Sequence, residues 1–156
     1  GRANSSIVMA AFLHAAPDGS RFNGPDLGAW YAAAALVTAV AEVGHHLRRE
    51  ALARGLETTA RSFRSYTARL EGSYRDIRGG EPELHAADSY AAGQGFGESL
   101  RAAGGDGVVY DSVRHRGGTN VYAYRPSKVL DVVQAEHLEI KVSVEEKRIE
   151  ATRLTG

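Results

Sequence analysis

The chain has 156 residues, 43% of them apolar, which suits one domain with a single core and argues against global disorder. Lys and Arg total 19 and Asp and Glu total 19, so the basic surplus of a generic nucleic-acid binder is absent. With no cysteine, disulfides and thiolate metal sites are excluded, and no apolar run nears the roughly 18 residues a membrane span requires.

The opening residues 1–6, "GRANSS", read as a tag or trimmed terminus and are set outside the domain, which is taken as 7–156. "SIVMAAFLH" predicts a buried strand, ended by the turn signal Asp18-Gly19-Ser20. "LGAWYAA" is read as a short strand, and residues 35–53 as an Ala-, Leu- and Val-rich helix stopped at Gly55. "RSFRSYTARLEGSYRDIRG" is read as strand, turn and strand. Asp88 is placed as N-cap of a helix through Ala103, weakened by Gly93, Gly95 and Gly97. "GVVYDSV" is read as a strand, Gly117-Gly118 as a hairpin turn into "TNVYAYRP", and "HLEIKVSV" as a strand followed by a polar tail. Strands outnumber helices without alternating with them, which gives α+β rather than a doubly wound sheet.

Arginines crowd residues 48–78, while residues 131–150 lean acidic. These are either solvated faces of a helix and a strand, or the arginines make a surface for an acidic partner. On the helix, Leu36, Val40, Val43 and Leu47 form one stripe, and Glu42 and His46 lie four apart on a neighbouring face shared with Ala35 and Ala39. That spacing is either an ordinary solvent-side pair or a carboxylate and an imidazole projecting from a surface kept small. HExxH is absent, so no metal is expected. Arg21 is either a surface residue or a phosphate clamp, and Trp30-Tyr31 either core aromatics or a stacking face for a cationic ring. Ser112 lacks the G-x-S-x-G elbow of a hydrolase nucleophile and is read as a turn residue or a ligand hydrogen-bonder. "GQGFG" at 93–97 lacks the dinucleotide-binding spacing.

The ordered set Arg21, Tyr31, Glu42 and Ser112, carried by "DGSRFNG", "GAWYAA", "TAVAE…HH", "YRDIRG" and "GDGVVYDSVRHRGGTNVYAYRP", resembles the RES domain, named for its Arg, Glu and Ser. The last run is the most specific, and the likeness is strongest to the ParT branch, toxins of ParS–ParT pairs. The resemblance implies an α+β, ADP-ribosyltransferase-like single domain with a central mixed or antiparallel sheet and flanking helices. It implies a cytoplasmic type II toxin that binds NAD⁺ as substrate and cleaves its nicotinamide–ribose bond, transferring ADP-ribose to a protein target. The alternatives are an NAD⁺ glycohydrolase or phosphorylase that depletes NAD⁺, and a non-catalytic partner-binding module. The implied partner is an Xre-like or ParS-like antitoxin that blocks the site, with no nucleic acid or membrane bound by this chain. By the same resemblance Arg21 clamps the diphosphate, Tyr31 stacks on nicotinamide, Glu42 stabilises positive charge on the ribose, and Ser112 bonds the ribose or supports Glu42. The family His falls on His45 or His46. Helical phase favours His46, which would bind ribose hydroxyls or position Glu42.

Overall fold

The computed structural model describes residues 2–4, 7–12, 30–82, 84–85 and 91–154. In chain order these form β1 (Arg2–Asn4), β2 (Ile7–Phe12), β3 (Trp30–Ala33), α1 (Leu36–Ala53), β4 (Thr58–Leu70) and β5 (Ser73–Asp76). Then come α2 (Ala91–Ala102), β6 (Gly107–Asp111), β7 (Thr119–Ala123), a 3-10 turn at Pro126–Lys128, β8 (Val129–Ser143) and β9 (Arg148–Arg153). The strands make one sheet ordered β1-β5-β6-β7-β3-β2-β4-β8-β9, antiparallel throughout except for the parallel β5–β6 pair. The architecture is the α+β arrangement expected.

Both helices lie on one face of the sheet. Strand alternation puts Tyr31 and Ala33, Asn120 and Tyr122, and Val108 and Tyr110 on that face. Ala33 packs with Ala39, Val43 and Leu47 of α1 and with Leu138, Ile140 and Val142 of β8. Tyr110 and Tyr122 pack with Phe96 and Leu100 of α2. The opposite face holds Ala32, Val109, Val121 and Ala123, closed by Leu70 and Tyr74. The expected apolar stripe of α1 is the one buried, with Leu36 and Val40 at its margin. Gly55 ends the helix as expected. It takes φ +71°, its N–H bonds the Leu52 carbonyl, and the Leu56 N–H reaches back to the Ala51 carbonyl. A glycine accepts that left-handed backbone without strain.

Four expectations are revised. Residues 2–4, set outside the domain, pair with β5 as an edge strand. Gly117-Gly118 does not make a tight two-residue turn: residues 112–118 form a loop closed by the Ser112 N–H on the Gly118 carbonyl at 2.9 Å. The strand at "HLEIKVSV" begins earlier, at Val129. The polar tail after it contains β9, whose side chains are exposed apart from partly buried Ile149. An edge strand open to water on most of its surface has no need of apolar alternation, so its sequence looks like a tail. Asp88 lies outside the described residues.

Candidate active site

Glu42 stands one turn after Thr38 on α1, and both are buried, at 8% and 1% exposure. The solvent-side reading of Glu42 is thereby overturned: this face of the helix meets the ends of β6 and β7. The Ser112 hydroxyl donates to Glu42 Oε2 at 2.6 Å, and Asn120 Nδ2 donates to the same oxygen at 2.6 Å. Such short, charge-assisted bonds each contribute about 1.5–3 kcal/mol and offset the cost of burying the carboxylate. Ser112 Oγ also accepts the His115 N–H at 3.0 Å, so its single proton is committed to Glu42. Oε2 therefore acts only as an acceptor, and neither bond engages Oε1.

The loop bearing Ser112 is latched to the helix bearing Glu42. Thr38 Oγ1 and His115 Nδ1 are 2.8 Å apart. Gly118 passes so close beneath them that a Cβ would lie 2.7 Å from Thr38 and 2.9 Å from His115 Nδ1. Thr38 and Glu42, four residues apart on one helix, thus hold both ends of the Ser112–His115 segment.

Tyr31 of β3 sits cross-strand from Tyr122, their rings 5.1 Å apart and tilted, and Tyr122 stacks in turn on Tyr110. The Tyr31 hydroxyl is enclosed beside Glu42 and Tyr110, with no hydrogen bond of good geometry to either. Burial first, then the nearby Glu42 and Tyr122, push the phenol well above its ordinary range. It stays protonated at neutral pH, a donor within reach of the Glu42 carboxylate. Asn120 Oδ1 is likewise buried and unbonded. Flipping the amide would aim that oxygen at a carboxylate, which fixes the orientation.

Beside Ser112 opens a cleft of about 310 Å³ lined by Gly79, Gly80, Pro82, His85, Asp111 and Val113. His85 Nδ1 is 3.0 Å from the Glu81 carbonyl and its Nε2 accepts the Asp111 N–H at 3.1 Å. These partners select the neutral ring with its proton on Nδ1. Asp111 Oδ2 accepts the Gly79 N–H at 2.7 Å, which ties the cleft's two rims together. Among the described residues no group of three His, Asp or Glu side chains is placed to hold a metal.

Of the residues singled out in the sequence, Tyr31, Glu42 and Ser112 come together. His46 is half-buried one turn beyond Glu42, its ring 5.6 Å from that of His45 and edge-on to it. Arg21 lies outside the described residues. Sequence reasoning missed Asn120, Thr38 and His115. Asn120 did carry a signal, being a polar residue two positions before Tyr122 on the inward-facing phase of a strand.

No curated protein matches the chain. Among solved structures, a chain of the M. tuberculosis MbcT–MbcA toxin–antitoxin complex shares the fold, with a TM-score of 0.61 and 20% sequence identity over 86% of this chain and 87% of that one. The RES domain family model matches residues 2–143, spanning every site residue described above, and the chain belongs to the RES domain family.

Proposed function

We propose that this chain is the toxin of a toxin–antitoxin pair, and that it binds NAD⁺ and cleaves its nicotinamide–ribose bond. The observation that carries the reading is the buried Glu42 carboxylate, fixed through Oε2 by two donors. When the glycosidic bond breaks, nicotinamide departs neutral with the bonding electron pair, and the ribose carbon takes on oxocarbenium character. A preorganised carboxylate stabilises that positive charge without having to reorganise. An acceptor bearing O–H or N–H then bonds the same carbon and gives its proton to solvent. Arg21 holds the diphosphate, Tyr31 lies against the nicotinamide, and Ser112 supports Glu42 rather than the ribose. His46, one turn from Glu42, binds ribose hydroxyls.

ADP-ribose passes to a protein side chain, with water or phosphate as the competing acceptors. The RES family assignment and the likeness to a toxin–antitoxin complex support a cognate antitoxin; the reading makes it Xre-like or ParS-like and seats it over this site. Purified protein incubated with NAD⁺ should release nicotinamide. Adding phosphate, and separately cell extract with labelled NAD⁺, identifies the acceptor by the product that gains the ribose. No nicotinamide release in any arm would overturn the reading.

A further inference from the structure

We infer that Asn120 is the residue that positions Glu42 for NAD⁺ cleavage, and that it stands on β7 for this purpose alone. The inference rests on the NAD⁺ reading above. Asn120 is 0% exposed and shares the inward phase of its strand with the buried Tyr122. Its carbonyl oxygen has no partner, an arrangement that destabilises the fold. Its side chain's one hydrogen bond among the described residues is the 2.6 Å donation to Glu42 Oε2. A buried side-chain amide kept with most of its hydrogen-bonding capacity unmet is accounted for by that single bond. Ser112 cannot replace it, because its hydroxyl is already fixed between the His115 N–H and the same Glu42 oxygen. One donor leaves the carboxylate free to rotate about Oε2, whereas two donors from different strand ends hold its plane. Asn120 is therefore a positioning residue that acts through Glu42.

The test exploits the near-identical shape of aspartate. In Asn120→Asp, two carboxylates share one short hydrogen bond and cannot both ionise. While the pair holds a proton, the introduced carboxyl donates its O–H to Glu42 as the amide does. Once that proton leaves, the donor becomes a repelling charge. Nicotinamide release by Asn120→Asp should therefore be substantial at low pH and fall about tenfold per pH unit above the pair's pKa, where the unmodified protein shows no such fall. Asn120→Ala should lose about a hundredfold in kcat at every pH with KM for NAD⁺ nearly unchanged. The surrounding titratable groups, namely Tyr31 on β3, Tyr110 on β6, Tyr122 on β7, His45 and His46 on α1 and His115 in the loop, are common to all these proteins. A difference between profiles thus belongs to position 120.

Melting supplies a readout independent of activity. The shared proton gives the folded pair a pKa above that of a free carboxylate. Its contribution is full below the unfolded pKa and is lost as pH rises through the folded one. The melting temperature of Asn120→Asp should fall progressively behind that of the unmodified protein as pH rises. A pH-independent gap, an Asn120→Asp rate profile that follows the unmodified one, or an Asn120→Ala kcat within about threefold of normal would each overturn the inference. If the unmodified protein releases no nicotinamide, the NAD⁺ reading fails, while the melting series still decides whether Asn120 and Glu42 form the pair.

Discussion

Replacing Glu42 by Gln would keep an oxygen where Ser112 and Asn120 donate and put an amide at the other position, so both bonds survive while the charge is lost. Folding should be retained, and NAD⁺ affinity should change little. Turnover should fall about a hundred- to a thousandfold, the usual effect of removing one preorganised electrostatic contact. Nicotinamide release by folded protein measures this, and unimpaired turnover would exclude charge stabilisation by Glu42. Tyr31→Phe makes an opposite kind of prediction. A buried Tyr commonly loses stability when its hydroxyl is removed, but this hydroxyl makes no well-aligned hydrogen bond, so its desolvation is poorly compensated. The variant should melt within a few degrees of the unmodified protein and, keeping the ring that lies against nicotinamide, should bind NAD⁺ about as well; melting curves and NAD⁺ titration check both. Read singly, Glu42 and Ser112 stayed open between surface or turn residues and site residues, and only the resemblance to the RES domain joined them; the structure brings the two side chains together. That Glu42 is buried was not legible, since residues 70 and 78 positions further along the chain decide it. Asn120 was hidden by its place inside a strand, where alternation alone does not distinguish a packed residue from a working one.

The loop between β6 and β7 is the element on which the geometry turns. A Gly118→Ala methyl would wedge between Thr38 and His115, where overpacking typically costs roughly 1–3 kcal/mol. His115 carries the N–H that fixes Ser112, so the disturbance passes to Glu42. Turnover should fall more than stability does, and KM should change less than either. Thr38→Val keeps the volume, removes only the hydrogen bond to His115, and should be the milder change. Melting curves and nicotinamide release on the two variants check the order, and equal effects would mean that the latch does not position Ser112. The two glycines were read as a tight hairpin because the pair is a strong turn signal. The structure uses Gly117, at φ +84°, for the turn and Gly118 for close approach to a helix, which needs knowledge of what lies across the loop.

At the scale of the whole molecule, balanced charge is organised into local pairs. Arg48 is bound to the Val144 carbonyl, Arg61 to Glu50, Arg69 to Glu71 and Asp131, and Arg78 to Asp76, so much of the arginine-rich stretch is engaged within the fold. The candidate site sits where α1 meets β3, β6 and β7, whereas β9 completes the far edge of the sheet beyond β8. Yet β9 touches the helix that carries Glu42: Ile149 lies against Gly44 so closely that a Cβ there would be 2.7 Å from its side chain. Ending the chain at Val144 separates these roles. It keeps the Arg48 bond and every described partner of Glu42, and it removes the β8–β9 ladder and the Ile149 contact. The lost hydrogen bonds and apolar burial should together cost roughly 2–4 kcal/mol, or about 5–15 °C in melting temperature. Turnover at low temperature, where the shortened protein is still folded, should stay within a few-fold of normal, because Ser112 and Asn120 hold the carboxylate from β6 and β7, well inside the sheet and away from β9. A folded truncation with no turnover would show instead that α1 is seated by β9, and that the carboxylate is aimed from the side of the sheet that bears no catalytic group.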